Sequence, residues 1–297
     1  MILIVGGTGT LGSALVRQLV DLDLPVTVMS RNPRDHADRV PAGIRLVQGD
    51  LRDPVSLRAA VDGQRYVISA AHSILGRGKN ASTYIDDIGS KQLIDMAVAA
   101  GVERFVYVSA WFKQQNHLNA FFSAKQRVET YLQSTGLVHS TLRPTAFMET
   151  HAEQMIGERI AAKRPVIVFG SGAVPRNFVC ADDVAKIIVE ELRSTDGACR
   201  TIDVGGPENL SSNDVIAIYE TLLGRSARVV RLPIAVATTM HWVFKPFHPG
   251  LSQIMDIAGR AERYGDGFLI EDVPQCANNT PLSRWVRGGI FETLAST

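Results

Sequence analysis

Short apolar runs alternate with amphipathic ones through the first half of the chain. Met1–Val5, Pro25–Met29, Ile44–Val47, Tyr66–Ser69, Phe105–Val108 and His139–Leu142 are rich in β-branched and aromatic residues, which predicts strands. Between them, Leu15, Val16, Leu19 and Val20 recur at helical spacing, as do the apolar positions of 54–61, 84–100 and 119–133. Gly101 and Gly136 stand where helices should stop. Strict alternation of strand and helix predicts an α/β fold: a doubly wound parallel sheet with helices on both faces. The second half is less regular. Pro165–Phe169, Thr201–Val204 and Arg228–Leu232 predict strands. Asp182–Leu192 and Ser211–Leu223 predict helices with N-caps at Asp182 and Ser211.

The join between the first strand and the first helix is Gly6-Gly-Thr-Gly-Thr-Leu-Gly12. Strand, glycine loop and helix in that order read as a dinucleotide-binding unit, a Rossmann-type architecture. Its glycines serve a tight turn, a close backbone approach to a pyrophosphate, and packing of helix on strand. Gly6, Gly7, Thr8, Gly9, Thr10, Leu11 and Gly12 are therefore the candidate phosphate cradle, with the helix N-terminus facing the anion.

In such a sheet the ligand lies outside the C-terminal strand ends. The second strand runs into Arg31, Asn32 and Arg34, where an NAD-preferring protein usually has a carboxylate. A guanidinium there suits a 2′-phosphate, which predicts NADP(H), with Arg31 favoured over Arg34. Asp50 ends the third strand and can accept from an adenine amino group, with Leu51 packing on the ring. The alternative for Asp50 is a turn residue capping the helix from Pro54. Ala70, Ala71 and His72 end the fourth strand, and small residues there admit ribose and phosphate. Ser109 and Trp111 follow the fifth.

Composition narrows the classes. Hydrophobic residues are 45% of the 297 and charged residues 21%, as in a globular protein with a real core. A net charge of +1 gives no nucleic-acid footprint, so no direct nucleic-acid partner is expected. Cys180, Cys199 and Cys276 are scattered and odd in number, which fits a reducing compartment and neither a disulfide framework nor a zinc site. No signal peptide is expected before the first strand. The apolar stretch Ile234–Phe247 is interrupted by His241, Lys245 and Pro246, so no membrane span is expected. The expected location is cytoplasmic, with no membrane partner. His36, His139, His241 and His248 lack metal-ligand spacing, so no metal is expected. No Gly-x-Ser-x-Gly elbow supports a hydrolase.

Several segments together resemble the short-chain dehydrogenase/reductase superfamily, and within it the atypical NmrA-like branch of redox-sensing regulators, isoflavone-reductase-like enzymes and small quinone reductases. They are Gly6–Gly12, Arg31–Pro33, Gly49–Leu51, Asp87–Gly89 with Leu93–Asp95, Gly101–Ser109, Leu142–Pro144 with Phe147–Glu149, and Asp203–Pro207. The resemblance runs from residue 1 to about 223. It implies residues 1–146 as the NADP(H)-binding domain, with returns near 177–206. Residues 147–297 would then be mainly a small substrate lobe interleaved with it.

Catalytic members of the superfamily carry Tyr-x-x-x-Lys on the helix after the fifth strand. The tyrosine moves a proton, and the lysine holds the nicotinamide ribose and lowers the tyrosine pKa. Here that stretch is Phe121-Phe-Ser-Ala-Lys125: the lysine is kept and the tyrosine is replaced. Three explanations stand open. The acceptor needs no tyrosine acid, as with a quinone or enone. Or another group supplies the proton, with His117, Tyr84, His151 and Ser109 in descending order. Or the chain binds NADP(H) and catalyses nothing; a non-redox enzyme on this fold is a further alternative. By resemblance, Pro144 and Thr145 line the nicotinamide, and Phe147 leads into the substrate lobe. Trp111, Phe121, Phe147 and His151 are candidate substrate contacts, although Glu149 and His151 read foremost as structural helix residues. Trp242, Phe244, Phe247, Phe268 and Trp285 either line an apolar pocket or form core. The expected partner is a small-molecule substrate, and a homodimer and a monomer are both left open.

Overall fold

The computed structural model describes residues 1–112, 119–273, 276 and 278–295, excepting the side chains of 37–39 and 290–295. The first half comprises β1 (Ile2–Val5), α1 (Thr10–Asp21), β2 (Val26–Ser30), β3 (Arg45–Gln48), α2 (Pro54–Val61), β4 (Tyr66–Ser69), α3 (Ser90–Ala99), β5 (Arg104–Val108), α4 (Ala120–Ser134) and β6 (His139–Pro144). Then follow β7 (Ala146–Phe147), α5 (Glu158–Ala161), β8 (Val166–Phe169), β9 (Arg176–Val179), α6 (Ala181–Arg193), β10 (Arg200–Val204), β11 (Asn209–Leu210), α7 (Ser212–Leu223), β12 (Val229–Leu232), α8 (Ile234–Phe244), α9 (Pro249–Tyr264) and α10 (Leu282–Ala295). Two compact units result. Met1–Ala110, Asn116–Arg143 and Val184–Ile202 make the first; Trp111–Gln115, Pro144–Asp183 and Asp203–Thr297 make the second.

The first unit is built on a sheet of seven strands in the order β10-β6-β5-β4-β1-β2-β3. From β3 through β6 every register is parallel. This is the Rossmann-type α/β fold that the hydropathy pattern predicts. The order reverses between β1 and β4, the switch point where ligands of such sheets bind. The central strands are buried on both faces, which is why they read as continuous apolar runs. Leu3, Val67 and Phe105 pack with Leu57 of α2, Leu93 of α3 and Val128 of α4. Gly101 and Gly136 take left-handed φ values of 67° and 70°, as their places after α3 and α4 require.

One predicted helix differs from expectation. The run 84–100 opens as a π-helical turn, Thr83–Gly89, before α3 begins. That wide turn faces Asp86 and Asp87 inward, and both are buried. Its last residue, Gly89, abuts Leu51: a Cβ there would lie 2.8 Å from the Leu51 Cβ.

In the second unit β9 pairs with β7 in parallel and with β11 in antiparallel, while β8 pairs with β12. Met148, Ile156, Val166, Phe178, Ile216 and Tyr219 share its core. Ser211 caps α7 as predicted, in a reciprocal box with Asp214. Asp182 is not a cap: α6 starts at Ala181 and places Asp182 in its first turn. α8 packs on α9 where Gly259 faces Ala237. Of the C-terminal aromatics, Phe268 is core and Trp285 packs against core, but Trp242 and Phe247 are exposed, which neither expectation foresaw. Among the described residues, no helix is long and apolar enough to cross a membrane.

The glycine loop sets a sharp stability contrast. A Cβ on Gly12 would lie 2.1 Å from the Gly6 carbonyl oxygen, whereas one on Gly9 would meet that oxygen at 3.4 Å. Gly12→Ala should lower unfolding free energy by about 3 kcal/mol, and Gly9→Ala by under about 1 kcal/mol. Urea denaturation of both variants checks this; equal losses would contradict the packing.

Candidate functional site

The glycine loop forms an open cradle in the first unit. Gly6 has φ +91°, and a Cβ on it would lie 2.7 Å from the Ala71 nitrogen at the end of β4. A Cβ on Gly7 would strike Val28 of β2 at 2.7 Å. Loop, β2, β4 and α1 thus meet where only glycine backbone fits. α1 begins after Gly9 with no side-chain cap and no acidic residue in its first turn. Its first N–H groups and its positive dipole end are left for an anion. These features fit the pyrophosphate of a dinucleotide. Thr8 is half-buried and Thr10 exposed, while Leu11 is buried in the core.

The strand ends flank this cradle. Arg31, Asn32 and Arg34 follow β2 and are exposed. Asn32 donates its N–H to Ser30 Oγ at 3.3 Å. Arg31 is exposed, and its charge acts on the Asp50 carboxylate across the strand ends. Asp50 is differently placed from expectation. Arg52 donates to its carboxylate through both the backbone N–H and the side chain, at 2.9 Å to Oδ1 in each case. That contact holds the Asp50 carboxyl below its ordinary range. The α2 cap is Asp53, which accepts from Val55 N–H at 3.1 Å, so the capping alternative for Asp50 is corrected. Leu51 is buried core. Ala70 and Ala71 are half-buried, and His72 follows with an exposed edge.

α4 carries a buried cluster around Lys125. Asn119 caps the helix by accepting from Phe122 N–H. Phe121, Lys125 and Glu129 then recur every four residues on one buried face. Lys125 is only 2% exposed. Its ammonium donates to the Val108 carbonyl at 3.2 Å and lies 3.6 Å from Asp86 Oδ1. It also stands over the Tyr107 ring at 5.1 Å and the Phe121 ring at 5.6 Å. Burial holds this ammonium below the usual lysine range, opposed by the Asp86 carboxylate. Asp86 in turn accepts Ser73 N–H on both oxygens, at 3.2 and 3.1 Å, and so ties the segment after β4 to Lys125. The His72 ring meets Phe121 edge-on at 6.3 Å. Desolvation, then the Lys125 charge, keeps His72 below the usual histidine range.

Two proton-donor candidates have other settings. Ser109 is buried and donates its hydroxyl to Glu129, which also takes Arg143 Nη2 at 2.5 Å. That hydroxyl joins a buried ion-pair network of Glu129 and Arg143. Tyr84 is 50% exposed on the π-helical turn, and its hydroxyl has no hydrogen-bond partner among the described residues. His117 lies outside the described residues.

The remaining candidates fall in the second unit. Pro144 is buried and its carbonyl accepts Trp111 N–H at 2.8 Å. Thr145 is buried and donates its hydroxyl to Asn177 at 3.0 Å. Trp111 stacks edge-on to Phe268 at 5.5 Å. Phe147 lies on β7, and its carbonyl meets His151 Nδ1 at 3.2 Å. Glu149 accepts Ala181 N–H at 2.9 Å at the start of α6. Glu149 and His151 both lie on the π-helical segment Glu149–Gly157 that follows β7.

The glycine cradle, the strand order and the Phe121–Lys125 helix now meet a direct comparison. The NmrA-like family model matches residues 1–279. The chain belongs to the NmrA-like family. The photosystem II assembly factor Ycf39 of Guillardia theta is 28% identical over 233 residues, covering 78% of this chain and 73% of that protein. The NAD(P)H azoreductase of Xenophilus azovorans is 28% identical over 242 residues, covering 80% and 79%. Among solved structures, Citrobacter sp. triphenylmethane reductase complexed with NADP(H) shares the fold with a TM-score of 0.76 at 16% identity, covering 97% of this chain and 99% of that one. The proteins to which this chain is similar thus include named reductases and a named assembly factor.

Sequence reasoning missed Asp86, Glu129 and Arg143. Glu129 carried a signal: it follows Lys125 by four residues on a face that also holds Phe121. Asp86 carried little, because it sits in a run that reads as ordinary helix.

His151 generates a pH prediction. Burial first, then the Arg176 charge, pushes its imidazole down to about 4. The unfolded chain then binds more protons than the native one between about pH 6.5 and 4. Native stability should fall through that window by up to about 3 kcal/mol. Urea midpoints of wild type and His151→Gln from neutral to acid pH check this, the variant being flatter. Parallel curves would contradict a buried neutral His151.

Proposed function

We propose that the chain is an NADPH-dependent reductase that delivers hydride to a small apolar or aromatic acceptor, a quinone or enone before a simple carbonyl. One observation carries this reading: Phe121 fills the proton-donor position beside a buried, ion-paired Lys125. The cradle of Gly6–Gly12 and the uncapped start of α1 would hold the pyrophosphate, and Arg31 the 2′-phosphate. Lys125 would hold the nicotinamide ribose. The bound nicotinamide would supply the hydride.

The residues present favour acceptors whose reduced form needs no acid. Phe121 offers a ring and no proton. Ser109 points its hydroxyl into Glu129. A quinone or enone that gains hydride leaves a delocalised oxyanion, which takes its proton from water without a side-chain acid. A simple ketone leaves a strongly basic alkoxide that needs a donor in the transition state. The second unit, with Trp111, Phe147 and Phe268, would form the substrate lobe.

A second reading is a dinucleotide-binding regulator without turnover. The inward commitment of Ser109 and Lys125 supports it as well. NADPH oxidation across quinones, enones and aldehydes separates the two. The expected order is quinones and enones first and aldehydes barely at all; tight NADPH binding without turnover on any acceptor selects the regulator. Phe121→Tyr should add aldehyde reduction. Arg31→Ala should weaken NADPH by about tenfold or more and NADH little. Equal weakening of both would remove the 2′-phosphate assignment.

A further inference from the structure

The α8–α9 pair ends in an unusual surface. Along α8 the exposed positions are Ala235, Thr238, Thr239, Trp242 and Val243, a single stripe at helical spacing. A solvent-facing helix stripe ordinarily carries charge. This one carries none and ends in large apolar side chains. Trp242 is 63% exposed, Val243 55%, and Phe247, in the connection to α9, 79%.

The tip is also well formed. Ser252 Oγ of α9 donates to the His241 carbonyl of α8 at 2.9 Å. His248 Nδ1 caps α9 by accepting Leu251 N–H at 3.1 Å. The polar groups of the turn are thus satisfied inside, while the aromatic ones face out. Its charge is one-sided. No Asp or Glu occurs from Ile234 to Met255. Lys245 projects beside Trp242, its ammonium 4.8 Å from the ring centroid. The next carboxylate along the chain, Asp256, is already engaged by Arg260 at 2.9 Å.

We infer that this tip docks on the surface of a bilayer containing anionic lipid. Trp242 and Phe247 would enter the interface between headgroups and acyl chains, and Lys245 would meet lipid phosphate. Aromatic rings with an adjacent cation, on a segment without carboxylates, match that boundary in both polarity and charge. The size argues against a second copy as the occupant. Trp242, Val243 and Phe247 together expose roughly 400 Å², about half of what each partner gives to a stable dimer. The broken apolar run that excludes a membrane span leaves surface docking untouched, because docking needs a tip and not a crossing.

Flotation of the full chain with lipid vesicles tests this. Vesicles of phosphatidylcholine alone are compared with vesicles holding roughly a third phosphatidylglycerol. The wild type should float with the anionic vesicles, and brominated acyl chains should quench its tryptophan emission. Trp242→Ser with Phe247→Ser should reduce partitioning by about tenfold or more while NADPH binding is unchanged. Lys245→Glu, which leaves both aromatics in place, should abolish the preference for anionic vesicles. The proposal is overturned if the wild type stays in the aqueous phase with both vesicles, or if the double variant floats as the wild type does. It is equally overturned if sedimentation shows a wild-type dimer that the double variant loses, which would assign the face to a second copy.

Discussion

The first unit depends on the backbone contact between Gly12 and Gly6. α1 approaches the β1 turn so closely that even one methyl group would overlap the Gly6 carbonyl. That approach fixes three things together. It seats α1 on the sheet, it opens the turn toward β4 through the positive φ of Gly6, and it aims the first N–H groups of α1 outward. The same atoms that limit packing therefore create the anion cradle. Stability and ligand binding are separable here only at Gly9, where a side chain finds room.

A second constraint is electrostatic. Lys125 and Asp86 are both buried, and neither is tolerable there without its partners. Lys125 also leans on the Val108 carbonyl, and Asp86 on the backbone of Ser73. The end of β5, the face of α4 and the segment after β4 are thereby pinned to one another. Arg143 of β6 and Ser109 after β5 form a second network with Glu129 of the same helix. Together the networks leave a preorganised lysine next to a phenyl ring. At the position that carries tyrosine in Tyr-x-x-x-Lys, the neighbouring side chain is a phenyl ring with no hydroxyl.

Much of the first unit was legible because its elements follow one simple rule. Strands buried on both faces read as continuous apolar runs, and β1 to β6 lie within a residue or two of where those runs place them. The stops at Gly101 and Gly136 follow from local chemistry in the same way. What stayed hidden is tertiary. Nothing local distinguishes Asp86 from a surface carboxylate, since its burial comes from a π-helical turn and a lysine 39 positions away. Ser109 looked free until Glu129 and Arg143 closed on it. In the second unit, two-residue strands such as β7 and β11 are too short to leave a pattern. The exposed tip at Trp242 reads in sequence as core, because hydropathy cannot say which side of a helix is covered.

The central claim is that this NmrA-like chain holds a nicotinamide dinucleotide on the glycine cradle and passes its hydride without a tyrosine acid. The most direct test is a single turnover with NADPH deuterated at the transferable position and an enone acceptor. The account predicts deuterium on the acceptor's β-carbon, with a primary isotope effect on the label and none from deuterated solvent. Bound NADPH that keeps its label with every acceptor, or transfer whose rate is set by the solvent proton, would contradict it.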